Sequence, residues 1–186
     1  MIPIAVFASG DGSNFEAIVK NAKGYTVAIL ICDQLEAKAW RRAKRLGIPF
    51  QVVDASDYPS KAAYEAEIIR LLALFQVRWI ALAGYMRICG KTLLDKYPNH
   101  IINIHPALLP AFSGIDAIGQ ALKAGVKVTG VTIHIIDEGI DTGTIIAQEA
   151  YRIPPGANRD RVQAGIQRIE HRLYPQVIAE LIKEES

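Results

Sequence analysis

Two short stretches carry side chains that could do chemistry together. In "INIHPALLP", residues 102–110, Asn103 and His105 stand two apart in an otherwise apolar run. A period of two puts both side chains on one face of a strand. Pro106 cannot continue a sheet ladder, so the imidazole should sit at the strand's end and not within a sheet. Farther on, "DEGIDTG", residues 137–143, carries Asp137, Glu138 and Asp141 in a turn-rich segment between two strand-like runs. An amide donor, an imidazole and a carboxylate, with neither nucleophile nor metal, suit direct acyl transfer between two bound substrates. There the protein orients the reactants, stabilises an oxyanion and moves a proton. No G-x-S-x-G elbow occurs, and His100, His105, His134 and His171 are not grouped at metal-ligand spacing, so no metal is expected. His134, alone in the run VTIHIID, reads as a structural strand histidine.

A third stretch, "SGDGSN" at residues 9–14, separates an apolar run from a helix-like one. Small residues there leave backbone N–H groups uncovered at a helix start, a common way to hold an anion. Gly10 and Gly12 with the later Asp33 make two-thirds of a dinucleotide fingerprint, but Phe15 stands where a third small residue is needed. No Gly-Lys-Ser/Thr follows, so a Walker loop is also excluded. A single phosphate fits this shorter loop better than a pyrophosphate. The alternative is a loop that only turns the chain, with Ser13 or Asn14 capping the helix.

Apolar strand runs and amphipathic stretches must position these residues. Strand patterns cover residues 4–8, 25–32, 49–54, 78–84 and 101–105. They alternate with helix patterns at 14–22, at 35–47, at 59–75 and, briefly, at 92–96. Continuous Val/Ile runs between helices predict a parallel sheet covered on both faces. After a loop and a helix closing at Gly125, the runs VTGVTIHIID and GTIIAQEAYRI are separated by only a short turn and should pair antiparallel. A last helix is expected over residues 158–183, kinked at Pro175. The fold class is therefore α/β, a Rossmann-like, mostly parallel sheet flanked by helices with an antiparallel strand pair in its C-terminal part.

The 186 residues are 51% hydrophobic, enough for one compact domain with a sizeable core. A formal charge of +2 is too even for a protein that relies on neutralising nucleic acid. Cys32 and Cys89 lack C-x-x-C spacing and sit among apolar neighbours, as reduced buried thiols of a cytoplasmic protein would. No targeting or membrane segment is expected.

With "LAGYMRI" at 82–88 and "IEHRLYP" at 169–175, these motifs fall in order along nearly the whole chain. The sequence resembles the phosphoribosylglycinamide formyltransferase family, the folate-dependent formyl-transferring enzymes of purine synthesis. The resemblance implies a catalytic group of Asn103, His105 and Asp141. It implies that Gly12, Ser13 and Asn14 hold the phosphate of glycinamide ribonucleotide, with Glu170 touching the same substrate. For the co-substrate 10-formyltetrahydrofolate it implies Met86, Arg87, Ile88 and Cys89 on one side of the pocket and Gly139 and Ile140 on the other. Lys61 falls near the folate tail or the substrate phosphate. One formyltransferase domain over 1–186 would have a phosphate-binding half at 1–100 and a catalytic and folate-binding half at 101–186. The resemblance also allows a homodimer.

Two departures stand out, Thr144 where many members have Pro and Asp116 where relatives often have His, and the first is expected to loosen the loop carrying Asp141. A tRNA-formylating relative would add a basic C-terminal domain and a deformylase an N-terminal one, and neither is expected here. A dinucleotide oxidoreductase would need the glycine that Phe15 replaces.

Overall fold

The computed structural model describes residues 1–184. Its strands are β1 (Ile2–Ala8), β2 (Tyr25–Cys32), β3 (Phe50–Val52), β4 (Trp79–Leu82), β5 (Ile101–His105), β6 (Val128–Ile135) and β7 (Ile145–Arg152). The helices are α1 (Ser13–Lys20), α2 (Ala39–Leu46), α3 (Lys61–Leu74), α4 (Lys91–Lys96), α5 (Ala117–Ala124) and α6 (Arg159–Glu184). All seven strands join one sheet in the order β3-β2-β1-β4-β5-β6-β7. β1 to β5 pair in parallel, and β6 and β7 add on antiparallel beside β5. The mixed sheet is as expected from the sequence, and β2 and β5 have the expected bounds.

Alternation along each strand feeds two cores. Ile4, Val6, Ala8, Ile102, Ile104, Val131 and Ile133 pack with residues of α1, α2, α5 and α6 on one face. Ala5, Phe7, Ile29, Ile31, Ile80, Leu82 and Ile101 pack with α3 and α4 on the other. Phe15, where the dinucleotide fingerprint wants a glycine, is fully buried in the first core. Tyr174 of α6 reaches across that core and its hydroxyl lies 3.0 Å from the carbonyls of both Leu82 and Ile102, pinning α6 over β4 and β5.

Helix ends differ from the pattern for local reasons. α2 starts at Ala39, four residues later than the apolar pattern suggests, because residues before it fold into a turn that Trp40 closes by donating to the Leu35 carbonyl. α3 starts at Lys61, where Ser60 Oγ accepts from the Ala63 N–H, and α6 starts after Asn158, whose Oδ1 accepts from Arg161 N–H. α6 continues through Pro175 as one helix element.

The strand order reverses between β1 and β4, which lie side by side while their successors depart in opposite directions. In open α/β sheets ligands bind at the carboxyl ends of strands beside such a switch point. The loop of residues 9–12 leaves β1 there, residues 83–90 leave β4, and Asn103 and His105 end β5.

Candidate active site

At the carboxyl end of β5, Asn103 lies opposite His134 of β6, and His105 opposite Thr132. Four polar side chains thus share one face, opposite that of Ile102, Ile104, Val131 and Ile133. Their hydrogen bonds give each a defined role. His134 Nδ1 is 3.0 Å from the Ile135 carbonyl and Nε2 is 3.3 Å from Asn103 Nδ2. A carbonyl can only accept, which places the proton on Nδ1 and leaves Nε2 to accept from the Asn103 amide. Burial lowers the His134 pKa and keeps the ring neutral. The amide of Asn103 is therefore turned with Nδ2 toward His134, which takes one of its two hydrogens.

His105, 5% exposed, has Nε2 2.8 Å from the Phe112 carbonyl and Nδ1 3.5 Å from Asp141 Oδ2. With a carbonyl fixing a proton on Nε2, the ring has a donor at Nδ1 only in its protonated form, and Asp141 supplies the matching negative charge. Asp141 Oδ2 also accepts from Gly114 N–H at 2.7 Å, while Oδ1 lies 3.6 Å from His134 Nε2. The latter pair is not an ion pair, because His134 is neutral and its Nε2 is an acceptor.

Two loops carry these groups, and both are tied down. Asp141 adopts φ 55°, a left-handed conformation that Asp tolerates better than most residues. Asp137 Oδ1 accepts from Gly139 N–H and Thr142 Oγ1, and the Thr144 carbonyl accepts from Ile135 N–H, and these bonds anchor the loop. The loop after β5 is held by Thr132, whose hydroxyl donates to the Ala107 carbonyl and accepts from Leu109 N–H and Gln148 Nε2. Asp116 caps α5 and pairs with Arg159 at 2.6 Å. Gly139 and Ile140 lie on the Asp141 loop, Ile140 with its side chain exposed.

Gly12 precedes α1 at φ 77°, in the left-handed region. No side chain caps this helix, so neither Ser13 nor Asn14 has the capping role that the sequence left open. The first N–H groups of α1 thus have no intrahelical partner. Asn14 Nδ2 donates to Glu170 Oε2 at 3.0 Å, and Asn14 Oδ1 is buried with no hydrogen-bond partner among the described residues. Glu170 is 8% exposed, and burial raises its pKa. The structure therefore brings Asn14 and Glu170 together across 156 residues of sequence.

The segment after β4, residues 83–90, forms a wall at the same end of the sheet. Met86 and Ile88 are 79% and 57% exposed, unusual for such residues. Arg87 pairs with the buried Asp33 at 3.2 Å and lies over the Tyr64 ring. Cys89 points its side chain into the second core, so what it offers this wall is backbone. Glu65 accepts from Gly90 and Leu93 N–H groups and anchors the segment's end. Lys61 lies beside it, its Cε 2.7 Å from where a Cβ on Gly90 would be. Ser9 joins this wall to the glycine loop: its Oγ accepts from Met86 N–H at 2.8 Å and its N–H donates to the Gly84 carbonyl.

Among the described residues there is no group of three or more His, Cys, Asp or Glu that could hold a metal ion, and no helix long and apolar enough to cross a membrane.

A family model described as formyl transferase matches residues 2–178. The chain is 51% identical over 186 residues to phosphoribosylglycinamide formyltransferase of Bacillus subtilis, covering 98% of this chain and 95% of the relative. It is 36% identical to the trifunctional purine biosynthetic protein adenosine-3 of Gallus gallus, covering 94% of this chain and 18% of that much longer protein. The crystal structure of glycinamide ribonucleotide transformylase 1 from Geobacillus kaustophilus superposes with TM-score 0.94 at 53% identity, covering 98% of this chain and 99% of that one.

Proposed function

The chain belongs to the formyl transferase family, and from that premise we propose that it transfers the formyl group of 10-formyltetrahydrofolate to the amine of 5-phosphoribosylglycinamide in purine synthesis. The observation that carries this reading is the meeting of His105 with Asp141 at the end of β5, where His134 holds Asn103, together with an uncapped helix start at the same end of the sheet. The amine nitrogen attacks the formyl carbon, and the carbonyl electron pair moves onto oxygen. Asn103, held by His134, donates its free Nδ2 hydrogen to that oxyanion, and protonated His105 donates from Nδ1. Collapse of the intermediate breaks the bond from carbon to folate N10, while the proton lost by the amine ends on N10. Asp141 balances the imidazolium and holds the path for that proton.

Gly12, Ser13 and Asn14 take the 5-phosphate, and Glu170, fixed by Asn14, touches the same substrate. Met86, Arg87, Ile88 and Cys89, partly through backbone, and Gly139 and Ile140 enclose the folate, with Lys61 at its tail. One formyltransferase domain spans the chain, in which Asn14 of the first half meets Glu170 of the second. A cytoplasmic location accords with the free, buried thiols of Cys32 and Cys89 and no nucleic-acid partner with the near-even charge, and the reading allows a homodimer. The test is to mix the protein with 10-formyltetrahydrofolate and phosphoribosylglycinamide, follow the folate absorbance and identify the formylated product by mass. Loss of the formyl group without a formylated ribonucleotide would refute the proposal.

A further inference from the structure

The glycine loop contains an apparent contradiction. A loop that receives a phosphate dianion carries a carboxylate at Asp11, and a second one, Glu16, follows in the first turn of α1. Like charges at such a site work against the ligand. The answer lies on α2. Arg42 Nε donates to the Asp11 backbone carbonyl at 2.7 Å, Nη2 meets Asp11 Oδ2 at 2.6 Å, and Nη1 pairs with Glu16. Arg45 and Lys20 reach the same Glu16 carboxylate at 2.7 and 2.6 Å, and these cations hold its pKa down at about 2. One residue earlier in the loop, the Gly10 carbonyl accepts from Ala39 N–H at 3.1 Å, at the start of α2. The loop backbone rests directly on that start: a Cβ on Gly12 would lie 2.7 Å from Ala39 Cα.

We infer that Arg42 is a positioning residue for the phosphate loop, turning the Gly12 N–H toward the anion and cancelling the charge of Asp11. The inference rests on the proposed function. Its geometric basis is the planar trans peptide, in which C=O and the following N–H point in opposite directions. Tying the Gly10 and Asp11 carbonyls to α2 therefore aims the Asp11 and Gly12 N–H groups away from α2, and the proposal places the anion on that side, at the start of α1. A lysine cannot reproduce this, since one guanidinium here serves a carbonyl and two carboxylates through three separate nitrogens. An ordinary surface ion pair would contribute almost nothing and leave substrate affinity unchanged.

The experiment compares wild type with Arg42→Ala, Arg42→Lys and the double variant Arg42→Ala/Asp11→Asn. Each is measured for kcat, both Michaelis constants and thermal midpoint, and for ribose 5-phosphate affinity by calorimetry, a readout independent of formyl transfer. Arg42→Ala should weaken ribose 5-phosphate and raise KM for the ribonucleotide by at least ~10-fold, the scale of a lost charge-assisted hydrogen bond. KM for the folate should stay within about twofold, as for a site with no shared partner. Removing the Asp11 charge in that background should recover about threefold, the scale of one partly exposed charge interaction, and Arg42→Lys should fall between wild type and Arg42→Ala. Unchanged phosphate affinity in Arg42→Ala would overturn the inference. So would a parallel rise of both Michaelis constants with a lowered midpoint and no recovery on Asp11→Asn. Wild-type protein that bound no phosphorylated substrate and transferred no formyl group would instead refute the functional reading, and the role of Arg42 with it.

Discussion

Replacing Asp141 with Asn isolates the charge of one residue. Asn tolerates the left-handed φ of 55° at this position about as well as Asp, and its Oδ1 can still accept from Gly114 N–H, so the loop should keep its shape. What disappears is the negative charge 3.5 Å from His105 Nδ1, on a side chain 12% exposed. At an effective dielectric of about 20, unit charges at that separation attract by about 5 kcal/mol, which converts to an upper bound of ~10^3.5 in rate. A lost general acid–base contribution sets a lower bound near 10²-fold. Asp141→Asn should therefore lower kcat by ~10²–10³-fold, with both Michaelis constants close to wild type and a changed pH–rate profile. Steady-state kinetics across pH with each substrate varied in turn makes the measurement. Wild-type turnover with an unchanged profile would mean that Asp141 is a turn residue and that the proton moves through another group.

Asn103→Ala should lower kcat by ~10²–10³-fold, as loss of an oxyanion donor does, while a thermal melt shows the protein still folded. Asn14→Ala or Ser13→Ala should raise KM for phosphoribosylglycinamide much more than KM for the folate, and equal changes in both would reject the phosphate assignment. Glu16, whose folded-state pKa is held at about 2 by Lys20, Arg42 and Arg45, stabilises the fold above its ordinary value of 4.5. That stabilisation is lost as pH falls from 4.5 toward 2, so denaturation midpoints should drop less over this range in Glu16→Gln than in wild type. Cys32 and Cys89 are buried, and burial pushes both thiols up to about 12. A thiol reagent near neutral pH should therefore label neither until denaturant is added, and rapid labelling of the native protein would contradict their placement.

Much of this was legible in the sequence because it depends on local spacing. The alternation of β5 fixes Asn103 and His105 on one face, and the Val/Ile runs of β1, β2 and β4 announce a sheet buried on both sides. Asp141 was different: its turn proves nothing alone, and only the resemblance linked it to His105. His134 reads as a structural strand histidine, and the structure adds that its ring holds the Asn103 amide, a role for which a lone strand histidine carries no local signal. Its partnership with Asn103 comes from the antiparallel register of β5 and β6, two strands separated by a loop and a helix. Arg42 was invisible for the same reason, since its partner Asp11 lies 31 residues away on another element. The late start of α2 follows from a turn closed by a side chain, which an apolar pattern does not encode.

The central claim is that the cleft moves a formyl group directly between two bound substrates. A single-turnover experiment with formyl-labelled 10-formyltetrahydrofolate, quenched at intervals in the presence and absence of phosphoribosylglycinamide, tests it most directly. Label is expected to pass to the ribonucleotide without appearing on the protein, and to stay on the folate when the ribonucleotide is omitted. Label bound covalently to the chain at any interval would contradict it.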